Sequence, residues 1–273
     1  MFHFKSPAKL NLFLHVLDKR VDGYYNIQSV FQLIDLFDYI RFEKTTDNKI
    51  VLTSNIKQLE QDNLIINTIN LFKFNYKIKT LGANIDLVKH IPIGAGLGGG
   101  SSNAATILLA LFRIFDIQES KDNIMNLALQ IGSDVPFFIN AKSAWVEGRG
   151  EIISPINLES NWYLLVLGEN NVSTSEMYDL VENSKELKKK TMEDFLSGDT
   201  NNIFETLVMK RYPTVSRVRD WLSQYGRARM SGTGDTWFLN FDNFERAKEV
   251  GNLVPNHFKH VIVKGLDSYE FRI

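Results

Sequence analysis

The run Pro92-Ile-Gly-Ala-Gly-Leu-Gly-Gly-Gly-Ser-Ser102 holds glycines at 94, 96, 98, 99 and 100 and ends on two adjacent hydroxyls. A backbone this bare can turn through positive φ and bring its N–H groups close to a ligand. The segment Ser101–Phe115 is small and then apolar, which predicts a helix. Free amides and the positive end of that helix then face one point, which is a phosphate cradle. A flexible Gly/Ser linker fits less well. Linkers are polar on both sides, whereas this loop lies between a strand pattern and an apolar helix.

Two general phosphate motifs can be laid on the run. Gly94-x-Gly96-x-x-Gly99, with Asp116 following, has the letters of the dinucleotide fingerprint. That fingerprint normally follows the first strand of its fold, and here several strand-like segments come first. A Walker A loop needs a lysine after Gly99, where Gly100 stands. Phosphoryl transfer still requires positive charge at the transferring group. The charge must come from elsewhere in the chain or from Mg²⁺.

Lys9 lies in an otherwise apolar strand, with Asn11 one strand repeat away, about 7 Å along the same face. Alone, such a lysine reads as a snorkelling surface group. Asp134, in Gly132-Ser-Asp-Val-Pro136, follows a predicted helix end and alone reads as a turn or capping residue. Tyr24 and Tyr25 adjoin the Asp22-Gly23 turn, and Tyr178 follows Val172–Met177. His257 and His260 are the one histidine pair at a ligand-like spacing, in a polar segment read as surface. No protein metal site is expected.

These residues need positioning elements. Ser6–Leu17 alternates as a strand, with Ala8, Leu10, Leu12, Leu14 and Val16 on one face and Lys9, Asn11, Phe13 and His15 on the other. Ile27–Leu36, Asp38–Phe42 and Lys49–Ser54 read as strands, Asp62–Phe74 as a helix, and Ala83–His90 as the strand entering the glycine loop. Lys121–Ile131 reads as a helix ended by Gly132. Phe137–Val146 reads as a strand, with a turn at Glu147–Gly150. A domain boundary is expected near Ser154-Pro155. Beyond it come a strand at Trp162–Leu167 and a solvated lysine-rich stretch at Lys185–Met192. Helices are expected at Glu205–Met209, Thr214–Tyr225 and Phe244–Leu253. A second glycine turn, Ser231-Gly-Thr-Gly234, lies within Arg229–Phe241, and a last strand is expected at Val261–Val263. Such mixing predicts an α/β or α+β sandwich.

The 273 residues are 44% hydrophobic and 23% charged, ordinary for a soluble globular protein. A net charge of −1 gives no reason to expect nucleic acid or a membrane surface as partner. The absence of cysteine excludes disulfides, thiolate catalysis and cysteine-ligated metals. No run approaches the roughly 18–20 apolar residues of a membrane span, and the first residues lack a signal-peptide pattern. A cytoplasmic protein is expected.

Three separated segments resemble motifs of the galactokinase, homoserine kinase, mevalonate kinase and phosphomevalonate kinase (GHMP) superfamily. Pro92–Ala105 resembles its second, phosphate-binding motif and Ser231–Gly234 its third. The opening Ser6-Pro-Ala-Lys-Leu-Asn-Leu-Phe-Leu14, with Asp22-Gly-Tyr24, Gln28 and Gly132-Ser-Asp-Val-Pro-Phe-Phe138, is similar to the branch that acts on a cytidine-diphosphate-linked methylerythritol. The resemblance covers nearly the whole chain. It implies an α+β, two-domain GHMP kinase fold. A ribosomal-protein-like N-terminal domain, residues 1–154, would bind ATP. A ferredoxin-like C-terminal domain, residues 155–273, would complete the cleft.

The resemblance also implies ATP-dependent phosphorylation of the 2-hydroxyl of a small substrate carrying a cytidine diphosphate group, with Mg²⁺, in a monomer or weak homodimer. Lys9 and Asp134 become the catalytic pair, in which the lysine keeps the carboxylate ionised and the carboxylate aligns or deprotonates the hydroxyl. ATP falls to Pro92, Ile93, Gly94, Ala95, Gly96, Leu97, Gly98, Gly99, Gly100, Ser101 and Ser102, with Asn63 and Lys89. The acceptor falls to Asn11, Tyr24, Tyr25 and Tyr178, with aromatic rings stacking on the base. Two residues depart from the pattern: Tyr25 stands where many members have His, and Asp235 where many have a small residue. Other readings are a different GHMP kinase, a nicotinamide-dependent oxidoreductase, or a non-catalytic nucleotide- or RNA-binding module. The last conflicts with the neutral charge and with the presence of both Lys9 and Asp134.

Overall fold

Two long antiparallel strands, β1 (Phe2–Lys19) and β2 (Tyr25–Thr45), form the spine of the first half of the chain. They belong to a computed structural model that describes residues 1–168, 172–181 and 188–271. β3 (Ile50–Ser54) follows, then a 3-10 turn (Lys57–Glu60), α1 (Leu64–Asn75) and β4 (Gly82–Val88). The glycine loop leads into α2 (Gly99–Ile114), followed by α3 (Lys121–Ile131), α4 (Val135–Asn140), β5 (Ala144–Gly148) and β6 (Ile152–Pro155). The second half holds β7 (Trp162–Leu167), α5 (Thr174–Val181), α6 (Met192–Leu196), α7 (Phe204–Arg211) and α8 (Pro213–Leu222). It ends with β8 (Arg229–Met230), β9 (Trp237–Phe241), α9 (Phe244–Gly251) and β10 (Lys259–Leu266).

The two strands expected at Ile27–Leu36 and Asp38–Phe42 are one. The register steps from Ala8↔Ile34 to Pro7↔Phe37, so Asp35 and Leu36 form a bulge and the ladder continues past it. β2 also pairs with β4 and β5, which makes it the hub of the sheet.

Phe137–Val146 is not a strand. Residues Val135–Asn140 form α4, with Pro136 in its first turn, and Ala141 at φ 52 closes it; the strand begins only at Ala144. A short apolar run has no period long enough to separate helix from strand, and proline in the first turn favours the helix.

In the second half the sheet order is β10-β7-β9-β8, with antiparallel pairing throughout. Numbered within that half, the order is fourth, first, third, second, with helices after the first and third strands. That is the ferredoxin-like arrangement. The two sheets join where Gly265 and Leu266 of β10 pair with Ile34 and Leu33 of β2. Leu266, Tyr269 and Phe271 then pack on the core of the first half. We propose a division at residues 154/155, with this tail returning to the first unit. Of the lysine-rich stretch, residues 185–187 lie outside the described residues. Lys190 is held through its backbone by the Gln28 side chain.

β1 does not keep one face polar. Every residue from Ser6 to Val16 is buried. A hydrophobic cluster between the two halves collects Ala8, Leu10, Leu12 and Phe13 of β1, Ala95 and Leu97 of the glycine loop, and Tyr163, Leu165 and Phe238 of the second sheet. Fully burying a side chain such as Leu97 contributes about 1.5–3 kcal/mol. The glycine loop is thereby nailed to β1. Among the described residues, no helix is long and apolar enough to cross a membrane.

Candidate active site

The glycine loop alternates two kinds of residue. Gly94, Gly96 and Gly98 take φ of 69, 76 and 70, a region that side chains disfavour. Ala95 and Leu97, between them, are 3% and 1% exposed and act as pegs in the core. Alternation of this kind is the backbone pattern on which anion-binding nests are built. Gly98 is also the N-cap of α2, with no side chain over the helix end. The loop borders a cleft of about 400 Å³ between the two halves.

Lys9 reaches this cleft from β1 and is 3% exposed. Its ammonium donates to Asn11 Oδ1 and, at 3.1 Å, to Gly96 O. It stands 3.6 Å from Asp134 Oδ2 and 4.7 Å from the centre of the Phe31 ring. Burial lowers the pKa of this ammonium, and the Asp134 charge opposes the drop. Asp134 is the N-cap residue of α4, yet its carboxylate makes no cap bond; it faces Lys9. Its side chain keeps 32% of its surface open, enough for an incoming hydroxyl to reach it.

Not every expected ATP contact has free polar atoms. Asn63 lines the cleft, but its Oδ1 caps α1 by accepting from Ile65 N and its Nδ2 donates to Leu59 O. Lys89 lines it too, but its ammonium is buried against Asp38 and donates to Asn103 Oδ1 at 3.2 Å. Asp38, fully buried, also accepts from Asn103 Nδ2 and from the backbone N–H of His90 and Ile91. This cluster supports the start of the glycine loop. Asp38 escaped sequence reading because a single aspartate in a strand has no periodic or motif signal.

Ser101 lines the cleft, as do all loop residues from Pro92 to Gly100. Ser102 does not. It is fully buried, and its Oγ bonds Ser6 Oγ at 3.4 Å.

Asn11 lines the cleft with both ends of its amide engaged, Oδ1 by Lys9 and Nδ2 on Ser29 Oγ at 3.0 Å. Tyr178 of α5 lines it as well; burial raises its phenol pKa, and Asp134 adds to the effect. Tyr25 stacks on Tyr178 with ring centres 5.6 Å apart at 29°, one layer behind the cleft wall. Tyr24 is 49% exposed at the tip of the β1–β2 hairpin, outside the cleft lining, with the Arg149 guanidinium 4.6 Å above its ring.

The second glycine turn packs backbone to backbone against the first. A Cβ on Gly234 would overlap the Ala95 carbonyl carbon and Gly96 N. Gly232 and Thr233 line the cleft, and Thr233 Oγ1 shares a 2.9 Å hydrogen bond with Thr174 Oγ1 at the start of α5. Asp235 points the other way. Its carboxyl packs on Gly168 and borders a separate cavity with Leu167 and Arg217. The carboxylate that looked misplaced beside phosphates is thus on the far side of the turn.

The geometry suits the binding of phosphates, with a buried lysine facing a part-exposed carboxylate beside the glycine loop. Comparison with known proteins agrees. Residues 63–142 match the GHMP kinases N terminal domain and residues 177–260 the GHMP kinases C terminal domain. The chain is 37% identical over 265 residues to a 4-diphosphocytidyl-2-C-methyl-D-erythritol kinase of Nitrosococcus oceani, covering 97% of this chain and 95% of that one. It is 37% identical over 271 residues to the enzyme of the same name from Colwellia psychrerythraea, covering 97% and 90%. A crystal structure of 4-(cytidine 5'-diphospho)-2C-methyl-D-erythritol kinase superposes with a TM-score of 0.83 at 26% identity, over 97% of this chain and 99% of that one. The chain belongs to the GHMP kinases, within the family of 4-diphosphocytidyl-2-C-methyl-D-erythritol kinases.

Proposed function

We propose that this protein transfers the γ-phosphoryl group of ATP to the 2-hydroxyl of 4-diphosphocytidyl-2-C-methyl-D-erythritol and releases ADP. The observation that carries the reading is Lys9 Nζ standing 3.6 Å from Asp134 Oδ2 beside the glycine loop, in a chain whose relatives bear that enzyme's name. In the transfer, the substrate's 2-oxygen forms a bond to the γ-phosphorus, and the bond from that phosphorus to the β–γ bridging oxygen breaks. Asp134 aligns the hydroxyl and takes its proton, and the electron pair of the broken bond stays on ADP. Lys9 orients the Asp134 carboxylate and supplies the positive charge that the missing Walker lysine would have given. Loop amides and the N-terminus of α2 hold the phosphates.

Mg²⁺ fits the donor set as an ion carried by the nucleotide. Among the described residues, no group of three or more His, Cys, Asp or Glu side chains can hold a metal. Mg²⁺ commonly takes only one or two protein ligands beside phosphates and water. Asp62, Ser101 and Asp134 are among the oxygen donors lining the cleft that would hold the ion, which would neutralise phosphate charge there.

Tyr178, backed by Tyr25, supports stacking of the cytosine, and Asn11 supports the acceptor end through its hold on Lys9. Tyr24, Asn63, Lys89 and Ser102 would act from the rim or from the layer beneath. The quaternary state we propose is a monomer or weak homodimer, and a sequence without cysteine and with net charge −1 suits a cytoplasmic setting. ADP release measured with the cytidine-linked acceptor tests the proposal, and no release with ATP saturating overturns it.

A further inference from the structure

The glycine loop grips Lys9 at both ends. Its backbone N–H donates to Leu97 O at 3.0 Å and its ammonium to Gly96 O at 3.1 Å. Gly96 O has a second donor, Ser231 Oγ, at 2.9 Å. The same Ser231 oxygen accepts the backbone N–H of Asn11 at 3.1 Å, and Asn11 Oδ1 in turn accepts from Lys9. One fully buried hydroxyl therefore closes a ring through Lys9, Gly96, Ser231 and Asn11, joining β1, the glycine loop and the second glycine turn.

We propose that Ser231 is a positioning residue for phosphoryl transfer: it holds the Gly96 carbonyl toward Lys9 and so fixes the ammonium between the phosphate loop and Asp134. The inference rests on the kinase reading above. Gly96 has φ +76 and lies in a run with glycine at every second position, so its peptide plane has little intrinsic resistance to flipping. Because a peptide is planar and trans, a carbonyl aimed at Lys9 and Ser231 sends the Leu97 N–H the opposite way. A flip would reverse an amide of the anion nest and remove an acceptor from Lys9 together. The Lys9 ammonium spreads its three N–H donors over Gly96, Asn11 and Asp134, so Ser231 supplies the second donor that fixes the carbonyl's direction. Ser231 has no competing side-chain partner among its described bonds, and its N–H is fixed to Thr236 O at 3.0 Å.

The test compares Ser231→Ala and Ser231→Thr with the unaltered enzyme, with rates normalised to titrated active sites. Ser231→Ala should lower kcat roughly 10- to 100-fold, the scale set by misplacing a reacting group by up to an ångström. KM for ATP should rise by a smaller factor than kcat falls, because one amide of the loop turns away while the others and the helix N-terminus still hold the phosphates. Ser231→Thr keeps the hydroxyl and should recover most of the rate. A second readout needs no acceptor. In ¹³C-lysine-labelled protein with ATP bound, the Lys9 titration should move to lower pH in Ser231→Ala, since the ammonium loses a fixed acceptor. An unmoved Lys9 titration overturns the proposal whatever the acceptor proves to be. So does a kcat per site within two-fold of the unaltered enzyme, or a folded Ser231→Thr as slow as Ser231→Ala. Failure of the unaltered enzyme to turn over the cytidine-linked acceptor counts against the kinase reading instead.

Discussion

Lys9 Nζ lies 3.6 Å from Asp134 Oδ2, the one group buried in a β-strand and the other a third exposed at the start of a helix. The asymmetry matters. The buried lysine cannot leave without stranding its charge, while the carboxylate remains open to a substrate hydroxyl. Asp134→Asn should therefore retain ATP affinity within a few-fold. It should lose turnover by about 10²–10⁴, the usual contribution of a positioned base. Calorimetric ATP titration and single-turnover rates check the two halves separately.

Protonation of Lys9 sets a pH limit. Burial is the larger influence and lowers its pKa; Asp134 pulls in the other direction. A cation with a lowered pKa loses its proton earlier as pH rises, so kcat should fall on the alkaline side below the ordinary lysine value of about 10.4. In Asp134→Asn the opposing attraction is gone, and Lys9 should titrate lower still. NMR of ¹³C-labelled lysines reads both shifts, and a Lys9 titrating with the surface lysines would contradict this order.

The aromatic wall should serve only one of the two substrates. Removing the ring in Tyr178→Ala should weaken the cytidine-bearing substrate by roughly 1–3 kcal/mol, the worth of one base–aromatic stack. ATP affinity should be unchanged. Tyr25→Ala should show a smaller effect in the same direction, because its ring supports Tyr178 from behind. Competition binding with cytidine diphosphate measures both.

Asp38 and Lys89 form a buried pair whose disruption is a stability matter. Asp38→Ala would leave the Lys89 ammonium, 4% exposed, without its carboxylate. Breaking a buried pair this way costs about 3–5 kcal/mol, and here it also frees the N–H groups of His90 and Ile91 at the loop entrance. Urea denaturation should show the loss. ATP should protect this variant less than it protects the unaltered protein.

Gly234 tests the packing of the two glycine turns. Its added Cβ has no room against Ala95 and Gly96, so Gly234→Ala must push the phosphate loop aside. A raised Kd for ATP, with the cytidine-bearing substrate bound normally, is the expected signature in paired titrations.

Much of the site was legible in the sequence because its chemistry sits in contiguous motifs. Gly94 to Gly100 announce a bare backbone, and Lys9 and Asp134 occupy motif positions whose partners are invisible locally but whose types are diagnostic together. What stayed hidden depends on tertiary contact. Asp38 gave no sign that its carboxylate would collect Lys89, Asn103 and two backbone amides. The alternation in β1 pointed to one polar face, yet Phe13 and His15 are buried because the second half of the chain covers them. Tyr24 and Tyr25 are neighbours in sequence, but Tyr24 belongs to the hairpin turn while Tyr25 opens β2 and stacks on Tyr178. The helix at Val135–Asn140 stays hidden because six residues are too few to display a period.

The most direct test of the central claim is ADP release on a panel of acceptors: 4-diphosphocytidyl-2-C-methyl-D-erythritol, mevalonate and homoserine, each with saturating ATP and Mg²⁺. The account predicts rapid release with the first alone, abolished in Asp134→Asn. Preference for mevalonate or homoserine, or equal release with all three, would contradict it.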